Sequence, residues 1–345
     1  MLSIAHADFE LPFRQPFTTA HGTKTLQPLL LVRLNNGMAT GFGEVTAISY
    51  YPETIESMTA SLEAKRGMIQ RYSLTDVPRF WHFLHHLIEG QHFLTAALDI
   101  AAWDCMANLR RMPLYKMLGV EWKNPPLTSF TIGYDTQEKM LAAMQARPWP
   151  VYKIKLPRPD DIDALRYLRQ HSQAAFRIDA NEGWDFESTK KLLPELAALG
   201  VELLEQPLPR GEWEAQQELK QLSAIPVYAD EACQEEEDVA RCAGAYHGIN
   251  IKLAKCGGLS PAIRMIPEAR RLGLKIMLGG MSESSVGAAA IAQLLPLADM
   301  ADIDGPLLLA DDLADGLKIE NGQISFDVPQ GLGVRLREEV MRKLM

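Results

Sequence analysis

The chain has 345 residues, a hydrophobic content of 47%, a charged content of 23% and a formal net charge of −9. This is a globular composition, long enough for two domains or one large α/β barrel, and its acidic balance excludes a nucleic-acid phosphate binder. No apolar run is long enough to span a bilayer, and Asp8 and Glu10 interrupt the N-terminal stretch, so it does not read as a signal peptide.

LLLVRLNNGMATGFGEVTA reads as two strands around an Asn-Asn-Gly turn. ETIESMTASLEAKRGMIQRY reads as a helix. The helical spacing of TAALDIAAWDCMANLRRMPLYKML predicts a second, with Gly119 as its stop. The helical segment HFLHH (His82, His85, His86) has zinc-compatible spacing but no acidic or thiol partner nearby, so it reads as helix surface. From about residue 127, short apolar segments recur roughly every 25 residues, the length of one strand plus one helix. They are TSFTIG, YKIKLP, FRIDAN, ELLEQPL, PVYADEA, GINIKLA, KIMLGG and MADIDG, with amphipathic stretches between them. The expected fold is α/β, a (β/α)8-type barrel with an α+β unit before it. The four cysteines, Cys105, Cys233, Cys242 and Cys256, show no framework spacing. Reduced thiols in a cytoplasmic protein are expected.

In such a barrel the chemistry sits at the C-terminal ends of the strands. The second segment carries Lys153 and Lys155, on one face by the period of two. The third carries Asp179 and Asn181, the fourth Glu205, and the fifth Asp230 and Glu231. Glu231 follows Asp230 directly, so the two are expected on opposite faces, with Asp230 the metal ligand and Glu231 behind it. The sixth carries Asn250 and Lys252, the seventh Met281, Ser282, Glu283 and Ser284, and the eighth Asp302 and Asp304. One lone lysine in a strand is commonly a snorkelling surface residue, and one lone aspartate a helix cap. The ordered series of lysine, three acids and lysine fits neither reading. Asp179, Glu205 and Asp230, without His or Cys, suit a hard cation such as Mg²⁺. Lys155 and Lys252 flank that site as opposed acid/bases for proton transfer at a carbon beside a carboxylate. Lys153 would add positive charge to the enediolate that forms. Neighbouring cations are expected to lower a lysine pKa from roughly 10.4 toward the working pH.

KIK, DAN, EQP, ADE, NIK and PQGLGV, in this order, together with ALDIAAWDCMANLRRMPLYKMLG, resemble the enolase superfamily, muconate-lactonizing-enzyme subgroup. The resemblance covers nearly the whole chain. It implies a modified (β/α)7β TIM-type barrel under an α+β capping domain formed by the N-terminal region and the C-terminal tail. The boundaries are expected at 1–120 for the cap, 121–318 for the barrel and 319–345 for the return to the cap. One Mg²⁺ per subunit is implied, on Asp179, Glu205 and Asp230, with Lys155 and Lys252 as the acid/base pair, Lys153 beside them, and Asn181 and Glu231 behind the ligands.

ADIDGPLLL resembles the dipeptide epimerases, in which an Asp-x-Asp pair, here Asp302 and Asp304, holds the substrate's α-ammonium. His21, Lys24, Met281 and Glu283 complete the implied substrate contacts. Members acting on Ala-Glu carry an arginine in the capping loop. In the matching stretch, FTTAHGTK, that slot reads Gly22, with His21 and Lys24 nearby. The resemblance therefore implies a dipeptide epimerase, with N-acylamino-acid racemase, o-succinylbenzoate synthase and muconate cycloisomerase as alternatives. The expected partner is a small dipeptide, with no nucleic acid and no membrane, and self-association left open.

Overall fold

The structure, a computed structural model, describes residues 1–345. It opens with a three-stranded antiparallel sheet of β1 (Ser3–Thr19), β2 (Gly22–Asn35) and β3 (Thr40–Thr46), with β2 central. The Asn-Asn-Gly turn joins β2 to β3 as predicted. The Asn35 and Asn36 side chains accept from the amides of Gly37, Met38 and Ala39, and Gly37 takes a φ of +88°. Then come α1 (Ile55–Gln70), α2 (Val77–Leu87) and α3 (His92–Leu109). The HFLHH histidines lie on α2, outside the barrel, as expected. α3 is apolar on nearly every side and lies directly on β3. A Cβ on Gly41 would sit 2.1 Å from the Ala101 carbonyl oxygen, and one on Gly43 2.0 Å from that of Ala97, so only glycine fits.

The sequence predicted that this helix runs on to Gly119. It stops at Leu109 instead. Arg111 takes a φ of +53°, and the Met112 amide bonds back to Ala107 O at 3.2 Å. Pro113, with no amide hydrogen to give, then precedes the short α4 (Leu114–Met117), and Gly119 ends that one.

The barrel follows as β4 (Phe130–Ile132), α5 (Gln137–Ala146), β5 (Val151–Lys155), α6 (Ile162–His171), β6 (Ala175–Asp179), α7 (Phe186–Ala198), β7 (Val201–Glu205) and α8 (Trp213–Leu222). It continues as β8 (Val227–Ala229), α9 (Asp238–Ala245), β9 (Gly248–Ile251), α10 (Leu253–Cys256), α11 (Leu259–Arg271), β10 (Lys275–Gly279), α12 (Ser285–Ala292) and β11 (Met300–Asp302). Each predicted apolar segment holds one strand. The strands pair in parallel in sequential order, and a Thr128–Ala301 bridge joins the two ends. Only the four-residue α13 (Gly305–Leu308) follows β11, so the architecture is (β/α)7β.

The tail contains β12 (Ala314–Asp315), β13 (Leu317–Glu320), β14 (Gln323–Phe326), β15 (Arg335–Leu336) and α14 (Glu338–Lys343). The β13–β14 hairpin lies against the start of β4, where Gly322 O accepts from the Thr128 amide at 2.9 Å. Further on, Gly331 O accepts from Leu114 N at 2.9 Å and Lys343 lies over the Phe9 ring, so this part of the tail meets the cap.

Buried carboxylates staple cap to barrel. Asp99 of α3 accepts from the amide and hydroxyl of Ser260 at the start of α11, at 2.9 and 2.6 Å. Glu44 of β3 accepts from the amide and hydroxyl of Ser284 and from the Gly287 amide, at the start of α12. Helix N-termini favour negative charge there. Burial still dominates and pushes Asp99 up to about 7 and Glu44 up to about 8. No helix is long and apolar enough to cross a membrane.

Candidate active site

β5 is buried at all five positions. Its outward residues Tyr152 and Ile154 pack under the helices, which leaves Lys153 and Lys155 on the barrel interior. Parallel register sets Lys155 beside Asp179, and Asp179 beside Glu205. Oxygens of Asp179, Glu205 and Asp230 all lie within 4.8 Å of one another. Lys153 Nζ stands 3.0 Å from Asp179, 2.9 Å from Glu205 and 2.7 Å from Asp302. Lys155 Nζ meets Asp179 at 2.6 Å and Asn181 Oδ1 at 3.1 Å. Across the trio, Lys252 Nζ meets Asp230 at 2.7 Å.

The donor set fits a hard cation. Glu205 Oε2 is buried without a hydrogen-bond partner, although Lys153 lies close to it. Burial drives Glu205 up to about 7; Lys153 opposes this, while Asp179 and Asp230 add to it. A dication among three buried oxygens would relieve both. Asp179 answers differently: burial raises it, but Lys153 and Lys155 overcome that and hold it at about 2. Asp230 is held far below the carboxylate range, against burial, by Lys252, Lys255 and Lys153.

The carboxylates oppose the lowering of lysine pKa expected from neighbouring cations. Burial does disfavour the ammonium of Lys153 and of Lys252. The carboxylates outweigh it, with Asp179, Asp302 and Glu205 around Lys153 and Asp230 beside Lys252, and both lysines stand well above their ordinary value. Within the cleft the lysine that is lowered is Lys24 of β2, to about 8, by burial first and then by Lys155 and Lys252. Lys24 lines the same cleft as Lys153, Lys155, Lys252, Met281, Asp302 and Asp304. Gly22, the slot read from the sequence, has a φ of +118° with nothing near it, and it makes the hairpin turn.

Asp302 and Asp304 both face this cleft. Asp302 accepts from Ser129 Oγ at 2.7 Å and from Lys153 at 2.7 Å. Asp304 accepts from the Thr131 amide and hydroxyl at 2.6 and 3.1 Å and makes no cap bond to α13. Their titrations diverge. Lys153 pulls Asp302 down against burial, whereas burial and then Asp302 push Asp304 up to about 7.

Three predicted residues, Glu283, His21 and Glu231, do not line the cleft. Glu283 folds onto its own turn, where Oε2 accepts from Met281 N at 2.7 Å, and it does not line the cleft. His21 stacks on Tyr50 at 3.8 Å, beside the cleft. Glu231 does not oppose Asp230. β8 ends at Ala229, so strand alternation lapses, and Glu231 turns back to accept from Asn181 Nδ2 at 3.1 Å.

Sequence reasoning missed four residues. Lys255 grips Asp230 Oδ1 at 2.6 Å, and its signal was a lysine inside the buried stretch KLAKC. Ser129 and Thr131 alternate along TSFTIG and so had a readable inward face. Tyr50 lines the cleft from an irregular segment after β3, where no period applies.

The N-terminal domain model of mandelate racemase / muconate lactonizing enzyme matches residues 3–119, and the enolase C-terminal domain-like model matches residues 135–340. The chain belongs to the mandelate racemase and muconate lactonizing enzyme family. Among similar family members is an L-Ala-D/L-amino acid epimerase of Flavobacterium johnsoniae. It is 43% identical over 329 residues, which cover 95% of this chain and 98% of the relative. An L-Ala-D/L-Glu epimerase of Bacteroides thetaiotaomicron is 34% identical, over 94% of this chain and 86% of its own. A dipeptide epimerase structure from Methylococcus capsulatus, complexed with Mg and L-Arg-D-Lys, superposes with a TM-score of 0.89 at 29% identity, covering 96% of this chain and 98% of that one.

Proposed function

We propose that this chain is a Mg²⁺-dependent dipeptide epimerase that inverts the α-carbon of the C-terminal residue. The observation that carries this reading is a single cleft into which Lys155, Lys252, Asp302 and Asp304 all face. The relatives named as epimerases of alanyl dipeptides support it, as does the dipeptide and Mg complex of the Methylococcus protein. Mg²⁺ held by Asp179, Glu205 and Asp230 would supply positive charge for the electrons that gather on the substrate carboxylate as its α-proton leaves. Lys153, fixed by three carboxylates, adds an ammonium to that end of the cleft. Lys155 and Lys252 come from strands on either side of the acid-bearing ones, so each addresses one face of the α-carbon. One takes a proton and the other returns one. Asn181 Oδ1 steadies Lys155, and Asp230 steadies Lys252. Asp302 and Asp304 take the free α-ammonium. Each carboxylate already accepts two protein bonds and retains lone pairs for more. Lys24 supplies a cation for an acidic side chain on the inverted residue, so Ala-Glu falls within the accepted class. The four cysteines are free and buried, which supports a reducing cytoplasm.

The test is a solvent-deuterium exchange screen over L-Ala-X dipeptides and their N-acetyl forms, with Mg²⁺ and with EDTA. Deuterium should enter the C-terminal α-carbon of free dipeptides only with Mg²⁺. Asp302→Asn with Asp304→Asn should raise KM for free dipeptides by one to several orders of magnitude, at about 1.4 kcal/mol per decade, and matter little for acetylated ones. A wild-type preference for N-acetyl substrates, or turnover in excess EDTA, would overturn the reading.

A further inference from the structure

Ligand-type side chains gather a second time at the barrel mouth. His21 at the hairpin tip, Glu182 after β6 and Glu231 after β8 each bring one ligand atom within 4.8 Å of the others. The Glu231 side chain is 1% exposed, and its Oε2 has no hydrogen-bond partner. A buried carboxylate oxygen without a donor is costly, and native structures seldom leave one so. His21 Nε2 stands 3.8 Å from the other oxygen, Glu231 Oε1, beyond hydrogen-bond reach. The two groups face one another across a gap that neither fills.

Charge favours a cation in that gap. Arg210 Nε and an Arg210 terminal nitrogen hold Glu182 at 3.0 and 2.7 Å, which balances that carboxylate. The Glu231 carboxylate then has the His21 ring facing it at 3.8 Å. The Asn181 amide, its only hydrogen-bond donor, carries no charge. Imidazole with carboxylate is a borderline donor set that suits Zn²⁺ or Co²⁺ and not Mg²⁺, which prefers oxygen ligands alone. Bonds of about 2.0–2.2 Å put the ligand atoms of one tetrahedral ion roughly 3–4 Å apart. The cluster therefore needs to close by at most about 2 Å. His21, with its side chain 21% exposed at a hairpin tip, has that freedom.

We propose that His21, Glu182 and Glu231 form a second metal site, for a borderline transition dication such as Zn²⁺, separate from the acid trio. The ion would tie the β1–β2 hairpin to the barrel mouth. Lys24 on that hairpin and Tyr50 beneath His21 both line the substrate cleft. An occupied site therefore holds the cap closed and slows the passage of substrate and product, so Zn²⁺ acts as an inhibitor bound outside the Mg²⁺ position.

The exposed pair His82 and His86, one helical turn apart on α2, is a competing Zn²⁺ ligand set, so the test uses His82→Ala/His86→Ala protein saturated with Mg²⁺. Zn²⁺ is titrated by calorimetry and Co²⁺ by visible absorption. The expected result is one further equivalent bound with Mg²⁺ retained, weakened at least about tenfold in His21→Ala and likewise in Glu182→Gln. Because binding and not turnover is read, the result does not depend on the substrate. No further equivalent, undiminished affinity in both variants, or uptake only by one-for-one loss of Mg²⁺ would overturn the proposal.

Discussion

Lys24 shows how a single side chain acquires a property that its local sequence does not carry. In FTTAHGTK it is one polar residue among several on a strand end. In the fold it is half-buried facing two other lysines, Lys155 and Lys252, and its ammonium is lowered to about 8, by desolvation first. It is therefore mostly charged at pH 7 and loses its charge as the pH rises through 8. A substrate carboxylate that depends on it should lose its hold over the same interval. We expect kcat/KM for Ala-Glu, relative to Ala-Leu, to fall between pH 7 and 9 in the wild type. In Lys24→Met it should be lower by about tenfold or more and independent of pH over that interval, the loss of a charge-assisted bond of roughly 1.5–3 kcal/mol. Parallel pH profiles for the two substrates in wild type would remove Lys24 from side-chain recognition. The same contrast separates the legible residues from the illegible ones. Lys153 and Lys155 could be read because a strand alternates every two residues. Tyr50 could not be, because an irregular segment has no period. The direction of the Lys153 and Lys252 shifts could not be read either, because it depends on how many carboxylates the barrel brings against each.

Elements meet in this protein through buried acids at helix starts. Glu44 belongs to the cap, and the helix it caps, α12, belongs to the barrel. An unfolded glutamate titrates near 4.3, whereas folded Glu44 is raised to about 8. The raised value contributes stability that is full below about pH 4 and is lost as the pH rises through about 8. Asp99, raised to about 7, acts in the same direction. The cap–barrel seam should therefore weaken on the alkaline side. Glu44→Gln, which cannot ionise, should flatten the fall in unfolding free energy between pH 6 and 9, a change on the order of a few kcal/mol. Denaturant melts at several pH values would measure it. A Gln variant with the wild-type slope would mean that the seam does not titrate. The pairing of Glu44 with Ser284 spans 240 positions, and no local pattern announces it. The α3 break has the opposite character: Pro113 stands in the sequence itself, and its missing amide hydrogen outweighs the helical spacing on both sides of it.

At the scale of the whole molecule, the barrel turns chain order into a circular arrangement. Lys155 on β5 and Lys252 just after β9 are far apart in sequence and bracket β6 to β8, at whose ends the acids stand. Two bases addressing two faces of one carbon make a specific prediction. Lys155→Ala and Lys252→Ala should each lower epimerisation by at least about three orders of magnitude. Each single variant should still exchange the α-proton of one substrate epimer with solvent, and the two variants should favour opposite epimers. Exchange of the same epimer by both, followed by NMR in deuterium oxide, would place the two lysines on one side and end the two-base account.

The sequence by itself determined the barrel and most of the polar residues that gather at its mouth. Eight apolar segments at a regular interval fix the strands, and strand alternation fixes the inward face of Lys153, Lys155, Asp179 and Glu205, while Asp230 and Lys252 stand one residue past their strands. The Asp-x-Asp pair at the eighth segment could be read in the same way. Only the tertiary structure decided what those residues touch. Ser129 and Thr131 hold Asp302 and Asp304 across 173 positions because the first and last barrel strands close on each other. Lys24, and not Gly22, enters the cleft because the hairpin turns at Gly22 and β2 carries Lys24 back over the barrel mouth. Glu231 stays with the site because its strand ends one residue before Asp230. Each of these depends on distance in space between segments remote in sequence, which no periodicity encodes.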